Sequence, residues 1–337
     1  MVSYSFIDLY FYTFYGGIYM SFLILIIGFF FLIKGADIFV EGAASIARKF
    51  NVPAMIIGLT IVAMGTSAPE AAVSITSSLA GQNDMSVANV VGSNFFNILM
   101  VLGVSAVIAK LPVQKETIKK ETPFLIIVSS MLLVFGLDLK MNRMEGLILL
   151  FVFVYFLIST VKRSKNSVTE NYDCSNEVAI TTDTEISEEI SMPKTILICI
   201  VGIAGIVIGG DMVVNSATSI AKSFGMSANL VGLTIVAVGT SLPEFVTSIV
   251  AIKKGETEIA IGNVIGSNLF NILLVLGLAV FINPITISML ALIDIAFMVA
   301  ITILLYLFMK KDYSLVKNQG FILIAIYLAY MTYTVIR

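Results

Sequence analysis

The chain has 337 residues, 58 % of them hydrophobic and 12 % charged, where an ordinary soluble domain is about a quarter charged. A chain so apolar cannot cover itself with polar surface, so its solvent must be largely lipid. A formal net charge of −2 gives no footprint for nucleic acid, Cys174 and Cys199 make neither a disulfide framework nor a metal cluster, and the absence of histidine excludes Ser-His chemistry, a His metal site and a His proton relay.

In chain order, residues 1–19 lack the basic start and small-residue cleavage site of a secretory leader. Tyr10, Tyr12, Tyr15 and Tyr19 favour the headgroup layer, so the stretch reads as an interfacial lead-in, with an extra short membrane segment as the alternative. Ten apolar spans follow, at 20–47, 53–80, 86–109, 122–138, 144–161, 195–221, 227–252, 258–282, 287–309 and 319–336. About 20 apolar residues suffice to cross a hydrocarbon core of roughly 30 Å. Between the fifth and sixth lies a polar stretch, 162–194, with Asn166, Asn171, Asp173, Asp183, Glu185, Glu188 and Glu189, which has the composition of a solvated linker. The expected fold is an all-α integral membrane protein of ten transmembrane helices, five in 20–161 and five in 195–337. Fifteen Lys and Arg residues, among them Arg48, Lys49, Lys110, Lys162, Arg163, Lys253 and Lys254, fall on one set of connections; Lys34, Lys140, Arg143, Lys222 and Arg337 fall on the other. The positive-inside rule then predicts both termini outside a cytoplasmic membrane and the linker inside.

The two groups of spans share a repeat at an offset of 174 residues. Residues 58–103 align without a gap on 232–277, with 26 identities in 46 positions, and both copies carry GTS-x-PE and GSN-x-FN. Five spans per half invert the second copy relative to the first. Inverted repeats with a midplane site between them are a recurring design of secondary transporters.

The chemistry of the motifs points to a hard cation. Glu70 and Glu244 are carboxylates in mid-span, expensive unless they face the protein interior or a water-filled cavity. Pro69 removes a backbone donor and pushes on the carbonyl of Gly65, so the helix loosens and frees carbonyls near Ala63 and Gly65. Thr66 lies four residues from Glu70 on the same helix face, and Ser67 lies close by. The second copy supplies Ala237, Gly239, Thr240, Ser241, Pro243 and Glu244. Ser93 and Asn97, with Ser267 and Asn271, add neutral oxygens, though the two serines also read as packing residues. Ca²⁺ takes about 6–8 oxygen ligands, and two carboxylates balance one Ca²⁺ or its monovalent replacements, which is a physical basis for exchange. Asn94 and Asn268 read as amides that brace loosened backbone, Asp37 and Asp211 as structural hydrogen-bonding groups, and Glu185–Glu189 as a solvated face. Competing classes are a passive cation channel and an intramembrane protease, the latter requiring Asp37 and Asp211 to meet.

GTS-x-PE followed by GN-x-x-GSN-x-x-N, twice and inverted, resembles the sodium/calcium exchanger family within the cation/calcium antiporters, its prokaryotic ten-helix branch above all. The resemblance covers 20–337. It implies an ion-binding core from the second, third, seventh and eighth helices, across which the first and sixth slide to alternate access. It also implies Glu70 and Glu244 as central acidic ligands, and Thr66 and Thr240 as Ca²⁺ ligands through backbone oxygen. The carbonyls of Ala63 and Ala237, with Ser67, Ser241, Ser93 and Ser267, match Na⁺ ligands, and Asn97 matches the amide of the first repeat. Three positions depart from the pattern. Asn271 stands where some members, the potassium-dependent branch included, have Asp, which argues against K⁺ co-transport. Ala88 faces Gly262 in the alignment, and Ala68 faces Leu242. The expected activity is Na⁺/Ca²⁺ antiport, with a proton- or potassium-coupled version as the alternative. No enzyme activity, cofactor, nucleic acid or obligatory protein partner is expected beyond the transported Ca²⁺ and Na⁺ and the lipid bilayer.

Overall fold

The computed structural model describes residues 6–81, 83–174, 192–225 and 237–336. They are almost entirely helical. Helix α1 (Phe6–Lys49) runs 44 residues without a break. No proline interrupts it, so the aromatic lead-in continues into the first span as one helix, about 66 Å long at about 1.5 Å per residue. Next come α2 (Ala54–Thr66) and α3 (Ala68–Leu79), bent by 49° at their junction, then α4 (83–108), α5 (Thr122–Gly136) and α6 (Arg143–Cys174). The rest are α7 (Met192–Ser223), the short α8 (Ala237–Gly239), α9 (Leu242–Lys253), α10 (Thr257–Ile282), α11 (Met289–Asp312) and α12 (Lys317–Ile336).

Among the described residues six helices are long and apolar enough to cross a membrane: Tyr19–Lys49, Met85–Ile108, Arg143–Arg163, Met192–Ser223, Thr257–Ile282 and Met289–Asp312. The bent pair α2 and α3 makes a seventh. The expected span at 122–138 yields a helix of 15 residues, about 22 Å long, which follows a wide π turn at Thr117–Glu121. The expected span at 227–252 is seen from Ala237 onward; its earlier part lies outside the described residues, as do residues 175–191 of the expected linker. Helix α6 also continues through Cys174, well past the expected end at 161, because no proline or glycine stands between Leu147 and Cys174 to stop it.

Helices α4 and α10 form the centre. Within their apolar windows 72 % and 78 % of residues are buried, against 33 % for α1 and for α7. Each central helix loosens into a π turn, Phe96–Val101 in α4 and Asn271–Leu276 in α10, a local widening often found at functional sites. Helices α1 and α7 pack along each other in opposite directions: Ser21 bonds Ser219 at 3.2 Å, Gly28 lies against Gly209, and Gly42 lies against Cys199. At Gly35 the backbones come so close that a Cβ would stand 2.6 Å from the amide nitrogen of Ile206. Without a hydrophobic drive between helices in lipid, such close approach supplies the attraction. Two small antiparallel ladders tie the connections. Strand β1 (Leu111–Pro112) pairs β4 (Ser314–Leu315), and β2 (Lys140–Met141) pairs β3 (Ile285–Thr286).

Candidate cation site

Both GTS-x-PE motifs interrupt a helix at the serine. Ser67 has φ −82 and ψ 10, and Ser241 has φ −93 and ψ 7, so each residue leaves helical geometry just before a new helix starts with proline near its N-terminus. A proline in the first turn costs nothing there, because its missing N–H would have had no helical partner. The expected loosening at Pro69 therefore takes the form of a clean break. The Ala63 carbonyl is not bare, however: it accepts from Ser67 N at 3.0 Å and from Thr66 Oγ1 at 3.3 Å. Pro69 leaves Gly65 without the usual donor one turn on.

Starting a helix at each break points the first-turn glutamates, Glu70 on α3 and Glu244 on α9, into the centre, and both are fully buried. They are held crosswise. Ser67 Oγ donates to Glu244 Oε1 at 2.9 Å, and Ser241 Oγ donates to Glu70 Oε1 at 2.9 Å. Ser93 Oγ on α4 adds a longer contact of 3.4 Å to Glu70 Oε1. The second oxygen of each carboxylate, Glu70 Oε2 and Glu244 Oε2, is buried and makes no hydrogen bond. Two buried carboxylates with a bare oxygen each are costly as anions unless a cation or a proton neutralises them.

Around this pair the neutral oxygens gather. Thr66 Oγ1 lies 3.0 Å from Asn263 Oδ1 and 3.4 Å from Ser267 Oγ. Thr240 Oγ1 donates to Asn89 Oδ1 at 3.4 Å. Asn97 is fully buried and neither end of its amide has a partner; Asn271 is equally buried and its Oδ1 has none. Ser67 thus bonds Glu244, Ser241 and Ser93 bond Glu70, and Thr66 meets Ser267, while Thr240 reaches the site through Asn89. Asn97 and Asn271 lie on the same central helices, one turn beyond Ser93 and Ser267. The Ala63 carbonyl borders the site through Thr66. Ala237 opens α8, and its side chain lies outside the description. Among the described residues no three His, Cys, Asp or Glu side chains cluster, so an ion held here takes its charge balance from two carboxylates and its remaining ligands from neutral oxygens.

Asn89 and Asn263 are functional candidates that the sequence reading passed over. Asn89 Nδ2 donates to Ser74 Oγ at 2.9 Å and to the Glu70 carbonyl at 3.2 Å; Asn263 Nδ2 donates to Ser248 Oγ at 3.0 Å and to the Glu244 carbonyl at 3.3 Å. Each amide braces the helix turn that carries a glutamate and offers its oxygen to the threonine of the opposite copy. The signal was present, since both asparagines stand at the same place in the repeat. Asp37 and Asp211 do not meet. Asp37 pairs with Lys254 at 2.9 Å, while Asp211 is exposed on α7, next to Met212, which lies against Gly28. The paired-aspartate protease reading fails on that separation.

A family model described as sodium/calcium exchanger protein matches residues 20–162 and 194–336, one stretch on each side of the polar segment. The putative antiporter CaxA of Alkalimonas amylolytica is 43 % identical over 77 % of this chain and 80 % of its own. The sodium/calcium exchanger MaX1 of Methanosarcina acetivorans is 31 % identical over 93 % of this chain and 97 % of its own. The solved sodium-calcium exchanger NCX_Mj, in crystals soaked with zero Na⁺ and Ca²⁺, superposes with a TM-score of 0.81 at 30 % identity, covering 94 % of this chain and 99 % of that one. With a matching family model over both halves and a matching fold over nearly its whole length, this multi-pass membrane chain belongs to the sodium/calcium exchanger family.

Proposed function

We propose that the protein exchanges Na⁺ for Ca²⁺ across the cytoplasmic membrane by alternating access. Its ligands would be Glu70, Glu244, Thr66, Thr240, Ser67, Ser241, Ser93, Ser267, Asn97 and Asn271, with the carbonyls of Ala63 and Ala237. The observation that carries this reading is the crossed pair: each glutamate is held by the serine of the other copy at 2.9 Å and keeps one bare buried oxygen. Two negative charges among neutral hydroxyls, amides and carbonyls match one Ca²⁺ or a set of Na⁺ ions. Both cargoes cannot occupy the same carboxylates together, so one leaves as the other arrives. Asn271 keeps the charge count at two, which favours Na⁺ over a K⁺-coupled cycle. No cofactor or protein partner is required.

The proposed architecture is ten spans in two inverted five-helix copies, 20–161 and 195–337, with a cytoplasmic linker at 162–194 and both termini outside. The opposed directions of α1 and α7, the first helix of each copy, support the inversion. Arg48 pairs with Glu256 at 3.2 Å and Lys254 with Glu41 at 3.3 Å, which sets these basic residues at one end of the molecule, as the charge bias requires. Helices α1 and α7 pack on each other through small residues and bury less of themselves than the centre does, which suits them to slide against it.

Counterflow tests the exchange. Proteoliposomes loaded with Na⁺ take up labelled Ca²⁺, and uptake collapses when internal Na⁺ is replaced by K⁺ at constant pH. Equal uptake driven by K⁺ or by a pH gradient would remove the Na⁺ coupling. Flux with no counter-ion would make the protein a channel.

A further inference from the structure

The neutral amide at position 271 has a neighbour that decides which of its atoms an ion meets. Asn94 Nδ2, on α4, lies 3.5 Å from the backbone carbonyl of Asn268 and 3.5 Å from Met298 Sδ. A carbonyl oxygen and a thioether sulfur only accept, so the nitrogen of Asn94 is the end that faces them. Its Oδ1 then turns toward Asn271 and accepts from Asn271 Nδ2 at 3.3 Å. With its nitrogen engaged there, Asn271 has only Oδ1 left to present, and that oxygen is buried and unpartnered. Asn94, Asn268 and Asn271 are at most 1 % exposed, so bulk water does not compete for these groups.

The matching residues of the other copy form no such chain. Asn268 stands where Asn94 does in the repeat, and Asn97 where Asn271 does, yet both ends of the Asn97 and Asn268 amides lack a hydrogen bond. Amide orientation is fixed on the α10 side alone.

We propose that Asn94 is a positioning residue that selects the oxygen face of Asn271 and so makes position 271 a neutral, purely accepting ligand for the transported cation. The proposal rests on the reading of Asn271 as an ion ligand. An amide free to turn over would present its NH₂ to the ion in half of its orientations and repel it. A carboxylate at position 271 would set oxygen against Asn94 Oδ1, acceptor against acceptor, so Asn94 also works against a third charge in the site.

A double-mutant cycle reads the coupling. The proteins are N94A, N271A and the double variant in proteoliposomes, and the readout is the external Na⁺ concentration for half-maximal Ca²⁺ release, with maximal rate recorded separately. Partners that orient a metal ligand are worth roughly 10- to 100-fold when removed. N94A is expected to raise half-saturating Na⁺ about tenfold, N271A by a similar factor, and the double variant no further than N271A. A purely structural role for Asn94 gives the same N94A factor in both backgrounds and overturns the proposal, as does unchanged Na⁺ dependence in N94A. Asn94→Ser, which leaves a smaller void, replaces N94A if the latter is not monodisperse. Asn271→Ala with normal Na⁺ dependence, alongside an inactive Glu70→Gln in the same vesicles, sinks the ligand role of Asn271 and this inference with it, while the two-carboxylate site stands.

Discussion

Glu70 and Glu244 each satisfy one oxygen on a serine from the other copy and leave the second oxygen free. Glu70→Gln removes half of the charge that balances a divalent ion and puts an NH₂ in its place. Leaving a buried charge without its partner costs about 3–5 kcal/mol, so Ca²⁺ exchange in Glu70→Gln or Glu244→Gln should fall at least about 100-fold. Size-exclusion profile and melting temperature should stay near those of the parent protein; robust Na⁺-dependent uptake by either variant would defeat the assignment. Ser67→Ala strips Glu244 Oε1 of its donor. A hydrogen bond to a charged group is worth about 1.5–3 kcal/mol, so half-saturating Ca²⁺ should rise roughly tenfold or more. Ser241→Ala should have an effect of similar size if the two copies act as equals.

At the scale of elements, the site depends on how closely α2 approaches α10. A Cβ at Gly262 would stand 2.6 Å from the carbonyl of Met55 and 2.9 Å from the amide nitrogen of Leu59, so Gly262→Ala must push the two helices apart. Its counterpart Ala88 is exposed, which explains how a methyl is accepted in one copy and excluded from the other. Ala88→Gly should cost only helix propensity, about 1 kcal/mol. Thermal unfolding in detergent should therefore show a larger drop in Tm for Gly262→Ala than for Ala88→Gly. Toward its C-terminal end α1 is tied to the turn between α9 and α10. Lys254 meets Asp37 at 2.9 Å and Glu41 at 3.3 Å. Partial burial pulls the pKa of Lys254 down, but the hydrogen bond and charge of Asp37, then those of Glu41, outweigh it and hold the ammonium above its ordinary range. The matching turn of the first copy has Ala80 in place of Lys254, so this tie exists at one end only.

The whole molecule is two copies that complete each other. Neither half contains a finished site, because each glutamate takes its serine from the other half. The proposed orientation has a direct check. Asp138 and Lys115 are both exposed and sit on connections at opposite ends. In a background with Cys174 and Cys199 changed to serine, Asp138→Cys should react with a membrane-impermeant thiol reagent on intact cells, and Lys115→Cys only after permeabilisation. The reverse pattern would turn the protein over in the membrane.

What could be read from the chain by itself is what depends on local pattern: long apolar helices, a loosening at Pro69 and Pro243, the doubled motifs, and two mid-span carboxylates too costly to face lipid. Helix ends were less legible, since the residues about the lead-in and after 161 carry no stop signal and α1 and α6 simply continue. Only the folded molecule decided the partners. Ser67 with Glu244, Thr66 with Asn263, Asn94 with Asn271 and Asp37 with Lys254 join residues far apart in sequence. Each pairing is set by the rotation and depth of one helix against another, which glycines such as Gly35 and Gly262 control through backbone contact. A residue pattern states which face of a helix is polar, but not which atom of another helix that face will meet.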